Sequence, residues 1–265
     1  MNTHIWGPPA WRLIHSVGYC AAPEAAETAG AFFDSLRYVL PCKYCRISYA
    51  EFVAVLTQRG GGKTVPQLVR RGRLMRWSYE LHELVNDKLD TQHCIAKAVP
   101  PCAGRRISWE CLLRRHKGQP FLVSAADVLD LLFILALNYP EEEEGAPERR
   151  RAYQQLLCGM PALLRCIVQP FHSYPTLAKL GGDLLRLAHC ITLLCSSYTL
   201  CSSSALLKDN ILASRKNLFS GMVVLWFLFY DTRRHSAQDE LVVRAELMER
   251  YRHARAHVCK HGACK

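Results

Sequence analysis

The chain contains no run of about eighteen uninterrupted apolar residues, the length that a membrane-spanning helix requires. Its best apolar stretch, Leu218 to Tyr230, reads instead as a buried helix. The N-terminus, Met1-Asn2-Thr3-His4, lacks a basic segment followed by an apolar one, so no secretory leader is visible. Strand-like alternation is nearly absent, and no internal repeat is found, which argues against sheet folds and solenoids. Charged residues are 22% of 265 and hydrophobic residues 50%, a balance that excludes a disordered or low-complexity protein. The chain reads as all-α, with ample length to bury a real core.

Acidic residues are the scarcer sign: 23 against 34 basic ones, a formal charge of +11. The basic residues are dispersed in clusters at Arg70, Arg71, Arg73 and Arg76, at Arg105, Arg106, Arg114 and Arg115, and at Arg149 to Arg151. Scattered clusters of this kind read as solvated helix faces, which argues against nucleic acid as the partner. Cysteine is plentiful. There are 13, an odd number, so at least one cannot pair within the chain. Without a secretory signal they are expected to be catalytic, metal-bound or buried thiols.

Helical spacing organises the text. Trp11, Ile14, His15 and Gly18 recur at three and four residues, as do Phe32, Phe33, Leu36 and Leu40. Pro41 suits the first turn of a helix that carries Cys42, Cys45, Tyr49 and Phe52. Gly60-Gly61-Gly62 breaks it, and the next helix has Trp77, Leu81, Leu84, Val85 and Leu89 on its apolar side. From Gln92 to Pro120 the sequence reads as irregular, giving an expected boundary near Gly118 between domains 1–117 and 118–265. Beyond it, Ser124 is an expected N-cap, Glu141 to Glu144 an exposed turn, and several apolar helices precede a charged one over 237–257.

The sharpest local feature is Pro41-Cys42-Lys43-Tyr44-Cys45. At helical spacing the two sulfurs share a face and can form a disulfide. Near a helix N-terminus, unpaired N–H groups and the macrodipole stabilise a thiolate, the species that attacks a disulfide or a flavin. Half a zinc site and two buried thiols are the other readings of the pair alone; no second metal-ligand pair at matching spacing accompanies it. The flanking helical text does not offer the strand and βαβ unit of a thioredoxin-like site. Upstream, Trp11 and His15 stand one turn apart. Downstream, His82, Val85, Asn86 and Leu89 fall at i, i+3, i+4 and i+7, placing polar groups on an apolar stripe. Two helices each offering Trp and His, with a redox pair between them, suit a planar aromatic cofactor held in a bundle.

In the order Trp-x-x-x-His, Pro-Cys-x-x-Cys, Trp, His-x-x-Val-Asn-x-x-Leu, the sequence resembles the Erv/ALR family of FAD-dependent sulfhydryl oxidases, over about residues 1 to 115. The Trp6-Gly7-Pro8-x-x-Trp11 form looks most like members encoded by large DNA viruses. The resemblance implies a four-helix FAD-binding bundle with an added short helix, commonly dimeric, followed here by a second α-helical domain. It implies that Cys45 lies against the flavin and that Cys42 is the outer cysteine attacked by substrate. Gly7, Trp11, His15, His82, Val85 and Asn86 would line the flavin, with Lys88 near its phosphates or ribose. The implied reaction converts two protein thiols to a disulfide and oxygen to hydrogen peroxide, with no metal.

This sequence departs from the family pattern at Leu40, where Tyr is usual, at Glu83, where Asn is usual, and at Asp90-Thr91-Gln92, where a basic residue and Pro are usual. The family's structural disulfide has no evident counterpart; Cys94 with Cys111, or Cys102 with Cys111, would be a local substitute, and the sequence does not choose between them. The terminal Cys259 and Cys264 match the family's mobile electron-relaying pair, the other readings being an incidental terminus or a ligand set with His257 and His261. Cys158, Cys166, Cys190, Cys195 and Cys201 lie on apolar helical text and are expected to be buried thiols. By analogy the site of action is the host cytoplasm or the virion. The competing functional class is a non-enzymatic interaction or virion structural protein, with Cys42, Cys45 and His82 as a metal clip or inert.

Overall fold

The computed structural model describes residues 3–95, 106–118, 123–141, 145–171, 177–197, 211–230 and 237–251, and among them every regular element is helical. The α-helices are α1 (Thr3–Cys20), α2 (Ala26–Val39), α3 (Lys43–Arg59), α4 (Val65–Arg70), α5 (Leu74–Ile95) and α6 (Trp109–Gly118), then α7 (Ala125–Leu137), α8 (Ala146–Val168), α9 (Ala178–Ser197), α10 (Arg215–Tyr230) and α11 (Ala237–Arg250).

In the N-terminal part, α1 packs on α5, α5 on α3 and α3 on α2, with the short α4 against α2 and α5. This is the four-helix arrangement with an added short helix. Leu13, Phe33, Val39 and Leu81 fill its interior, each at most 1% exposed. Phe33 meets Trp77 edge-on at 5.3 Å, tying α2 to α5. α3 stops where Gly61 (φ 69°) and Gly62 (φ 77°) take the left-handed conformation that side chains resist, and the Gly62 N–H bonds back to the Thr57 carbonyl at 2.8 Å. Gly18 permits the close α1–α5 crossing: a Cβ there would stand 2.6 Å from Ser78 Oγ and 3.4 Å from Met75 Cα.

The C-terminal helices do not form a separate layer. α8 lies against both α2 and α1, α7 lies against α1, and α9 and α10 cover the far side of α8 and α7. One continuous apolar core runs from Trp6 to Tyr251. α7 begins as expected, with Ser124 as N-cap: Ser124 Oγ accepts from the Asp127 N–H at 3.2 Å, and Asp127 Oδ2 accepts from the Ser124 N–H at 2.9 Å. Two contacts bind α1 to this region. Arg12 pairs with Asp127 at 2.7 Å, and the buried Ser16 hydroxyl accepts from the Val123 N–H at 3.1 Å.

Several local features differ from the sequence reading or add to it. The irregular reading of Gln92 to Pro120 is corrected by α6, whose Leu112 and His116 are buried beneath a basic outer face that masked the periodicity. α1 continues through Pro8 and Pro9, which lie inside the helix and remove two of its i→i−4 hydrogen bonds. Arg149, read as part of a solvated cluster, is 7% exposed because backbone carbonyls receive its guanidinium, whereas Arg151 is exposed. Cys190 and Cys195 are buried thiols, while Cys158 and Cys166 are only half-buried. Cys201, Cys259 and Cys264 lie outside the described residues, as does Cys102; of Cys94 only the helical backbone is described, so neither proposed local disulfide falls within them.

Candidate active site

A cavity of about 430 Å³ opens between α1, α3 and α5, and its wall is mostly apolar. Each helix contributes one face at helical spacing. Trp6, Gly7, Ala10, Trp11 and Ile14 come from α1, with Tyr44, Cys45, Ser48, Tyr49 and Phe52 from α3. His82, Val85, Lys88 and Leu89 come from α5. Of the residues singled out in the sequence, Gly7, Trp11, Cys45, His82, Val85 and Lys88 therefore share this cavity.

Cys42 precedes α3 at its N-cap position, and its carbonyl accepts the first helical bond, from the Arg46 N–H at 3.0 Å. Cys45 sits one turn on, half-buried in the cavity wall, whereas Cys42 is only 2% exposed. The Arg46 guanidinium donates to the Leu40 carbonyl at 2.8 Å, holding the corner that presents the pair. The Tyr49 hydroxyl donates to the Phe33 carbonyl at 2.7 Å and fixes α3 to α2.

Elsewhere in the wall, Trp11 and His82 stack nearly parallel, with ring centroids 3.8 Å apart and 9° between planes. His15 does not line the cavity. It lies behind, 6% exposed, its Nε2 sharing a 3.0 Å hydrogen bond with His82 Nδ1. Burial, reinforced by the neighbouring His82 and His116, lowers the His15 pKa to about 3, and burial lowers that of His82 to about 4. Both rings are thus neutral at neutral pH, and one must donate to the other. Asn86 also stays out of the cavity wall; its amide donates to Glu83 at 2.9 Å. That contact depends on the same Glu83 that replaces the family's usual residue. Lys88 Nζ reaches across to the Ser48 hydroxyl, leaving a cationic edge on an otherwise apolar chamber.

Sequence reading passed over Trp6, Tyr44, Ser48 and Leu89 as site residues. The signal was available: Tyr44 and Ser48 are one turn apart beside Cys45, and Trp6 precedes Ala10 and Ile14 at the same i, i+4 spacing. Trp6 is notable because its buried indole N–H has no hydrogen-bond partner, a donor that an acceptor within the cavity would satisfy. Among the described residues, no group of three or more His, Cys, Asp or Glu side chains could hold a metal ion.

Comparison with known proteins agrees with this geometry. Residues 8–100 match the Erv1 / Alr family. A probable FAD-linked sulfhydryl oxidase of Acanthamoeba polyphaga mimivirus is 34% identical over 90 residues, covering 32% of this chain and 59% of that protein. A mitochondrial FAD-linked sulfhydryl oxidase of Saccharomyces cerevisiae is 29% identical over 87 residues, covering 31% of this chain and 42% of its own length. The chain thus spans about half the length of these curated relatives. No solved structure gives a significant match.

Proposed function

We propose that this Erv1 / Alr domain makes the chain an FAD-dependent sulfhydryl oxidase that forms disulfides in protein dithiols and reduces oxygen to hydrogen peroxide. The observation that carries the reading is Cys45 in the wall of an aromatic cavity, with Cys42 one turn before it and the Trp11–His82 stack in the same wall. The cavity fits FAD on three counts. It is lined by flat aromatic groups, it offers an unpartnered Trp6 N–H, and it has Lys88 and Ser48 as polar handles.

FAD bound there would supply the two-electron acceptor that oxygen reoxidises. The chain's own residues do the rest. A substrate thiolate attacks the Cys42 sulfur of the oxidised pair, displacing Cys45 as thiolate and forming a mixed disulfide. The second substrate thiolate then attacks the substrate sulfur of that mixed disulfide, releasing Cys42 and the substrate as a disulfide. The two thiols lose two protons and two electrons in all. Cys45, on the wall, is the thiol placed to pass those electrons into the cavity. Trp11 and His82 would stack on the cofactor, Gly7 and Val85 would allow its close approach, and Lys88 would meet its phosphates or ribose. His15 acts on the cofactor through His82, because it does not itself reach the cavity, while Asn86 is held by Glu83 outside the cavity wall.

The Cys259 and Cys264 pair belongs to this reading as a relay between bulky clients and Cys42. So do a homodimer, a division of roles between domains 1–117 and 118–265 across their shared core, and action in the host cytoplasm or virion. Among the described residues no helix is long and apolar enough to cross a membrane. The test is oxygen uptake with dithiothreitol. The purified protein consumes oxygen catalytically, and Cys45→Ser abolishes turnover while flavin stays bound. Turnover surviving in Cys45→Ser would overturn the assignment of the flavin-facing thiol.

A further inference from the structure

The end of α2 lies just before the redox pair, and side chains from two other helices hold it. The last carbonyls of any helix lack intrahelical partners. Here Arg149 of α8 donates through Nε to the Tyr38 carbonyl at 3.0 Å, and through Nη2 to the Asn138 carbonyl, at the end of α7, at 3.4 Å. The Tyr153 hydroxyl, also from α8, lies within hydrogen-bond reach of Leu135 O (3.1 Å), Asn138 O (3.3 Å) and Val39 O (3.4 Å). Arg46 takes the next two carbonyls, Leu40 at 2.8 Å and Pro41 at 3.4 Å. Four consecutive carbonyls, Tyr38 to Pro41, thus lie within reach of side-chain donors, Val39 sharing the single Tyr153 O–H with Leu135 and Asn138, and the next residue is Cys42 at 2% exposure.

We propose that Arg149 and Tyr153 are positioning residues of the Cys42–Cys45 pair, through which the C-terminal helices set how deeply Cys42 is buried and how often the α2–α3 corner opens to an incoming thiol. The inference rests on reading that pair as the redox centre. Helix packing alone does not call for these side chains. An arginine that is 7% exposed carries a desolvation cost that an apolar residue of the same size avoids. What its forked donor set adds is simultaneous reach to the ends of α2 and α7. Cys42 is the thiol that substrate must meet, yet it is more deeply buried than Cys45, so its reactivity depends on motion of the corner that these residues hold.

The test is pulse alkylation of the fully reduced, full-length protein with N-ethylmaleimide under anaerobic conditions, with each cysteine peptide quantified by mass spectrometry. The variants are Arg149→Met, which keeps volume and removes the donors, and Tyr153→Phe, which keeps the ring and its edge contact with Tyr139. Loss of one such hydrogen bond makes the corner open, and Cys42 react, about five-fold more often. Cys20 and Cys190, both buried elsewhere, keep their wild-type rates. An unchanged Cys42 rate in a folded Tyr153→Phe protein overturns the proposal, and so does equal acceleration at all three thiols. The readout needs neither bound flavin nor turnover, so it fails separately from the oxidase reading.

Discussion

Acidification should destabilise the protein through one pair of rings. His15 and His82 are held neutral in the fold, with pKa values of about 3 and about 4 against the ordinary 6.5. Because the folded values are depressed, the stabilisation is complete above pH 6.5 and is lost as pH falls towards the folded values. Over that window the unfolded chain takes up protons that the native rings refuse. Each ring forfeits about 1.4 kcal/mol per pH unit, so moving from pH 6.5 to about pH 5 removes about 4 kcal/mol for the two together. That is a large share of the roughly 5–15 kcal/mol that holds an ordinary domain together. The hydrogen bond between His15 Nε2 and His82 Nδ1 persists over that window, because the native rings stay neutral down to about pH 4 and one can still accept from the other. Urea unfolding at about pH 7 and about pH 5, on wild type and His82→Gln, isolates the contribution from that of the carboxylates. The variant should lose about half of this acid sensitivity. If wild type and His82→Gln show the same pH dependence, the rings are not buried as neutral species and the reasoning fails.

At the helix crossing beneath the site, Gly18→Ala drives a Cβ into Ser78 Oγ and breaks the Ser78 hydroxyl bond to the Met75 carbonyl. The cost of about 1–3 kcal/mol for the orphaned hydroxyl exceeds the roughly 1 kcal/mol gained in helix propensity, so thermal stability falls; Ser78→Ala in the same chain should restore it. In the cavity, Trp6→Phe removes the unpartnered indole N–H while keeping an aromatic ring and should weaken FAD retention about five-fold, read by fluorescence titration of the apoprotein. At the terminus, Cys259→Ala together with Cys264→Ala should slow oxidation of a reduced protein client more than of dithiothreitol. Equal slowing of both substrates would remove the relay.

The helical class and the Cys42–Cys45 pair were legible because they are local. Phe32, Phe33 and Leu36 mark one face of α2, Ser124 and Asp127 cap α7 within three residues, and Cys42 and Cys45 meet through a single helical turn. The cavity wall was partly legible, since Trp11 and His82 lie on separate stripes whose apposition only packing reveals. The long-range partners were hidden. Nothing near His15 shows that it turns to His82, 67 residues away, or that Lys88 reaches Ser48, 40 residues back. Arg149 looked like one of a solvated triplet because burial of a guanidinium depends on carbonyls supplied by α2 and α7. The basic residues of α6 likewise concealed the single buried stripe of Leu112 and His116.

The central claim, that Cys42 and Cys45 deliver substrate electrons to a flavin in the α1–α3–α5 cavity, is tested most directly by the visible spectrum of the purified protein during anaerobic dithiol addition. A bound-flavin band that bleaches with the dithiol and returns on admitting oxygen, in wild type but not in Cys45→Ser, is the predicted result. A protein that stays colourless after FAD is supplied, or a band that bleaches equally in Cys45→Ser, would contradict it.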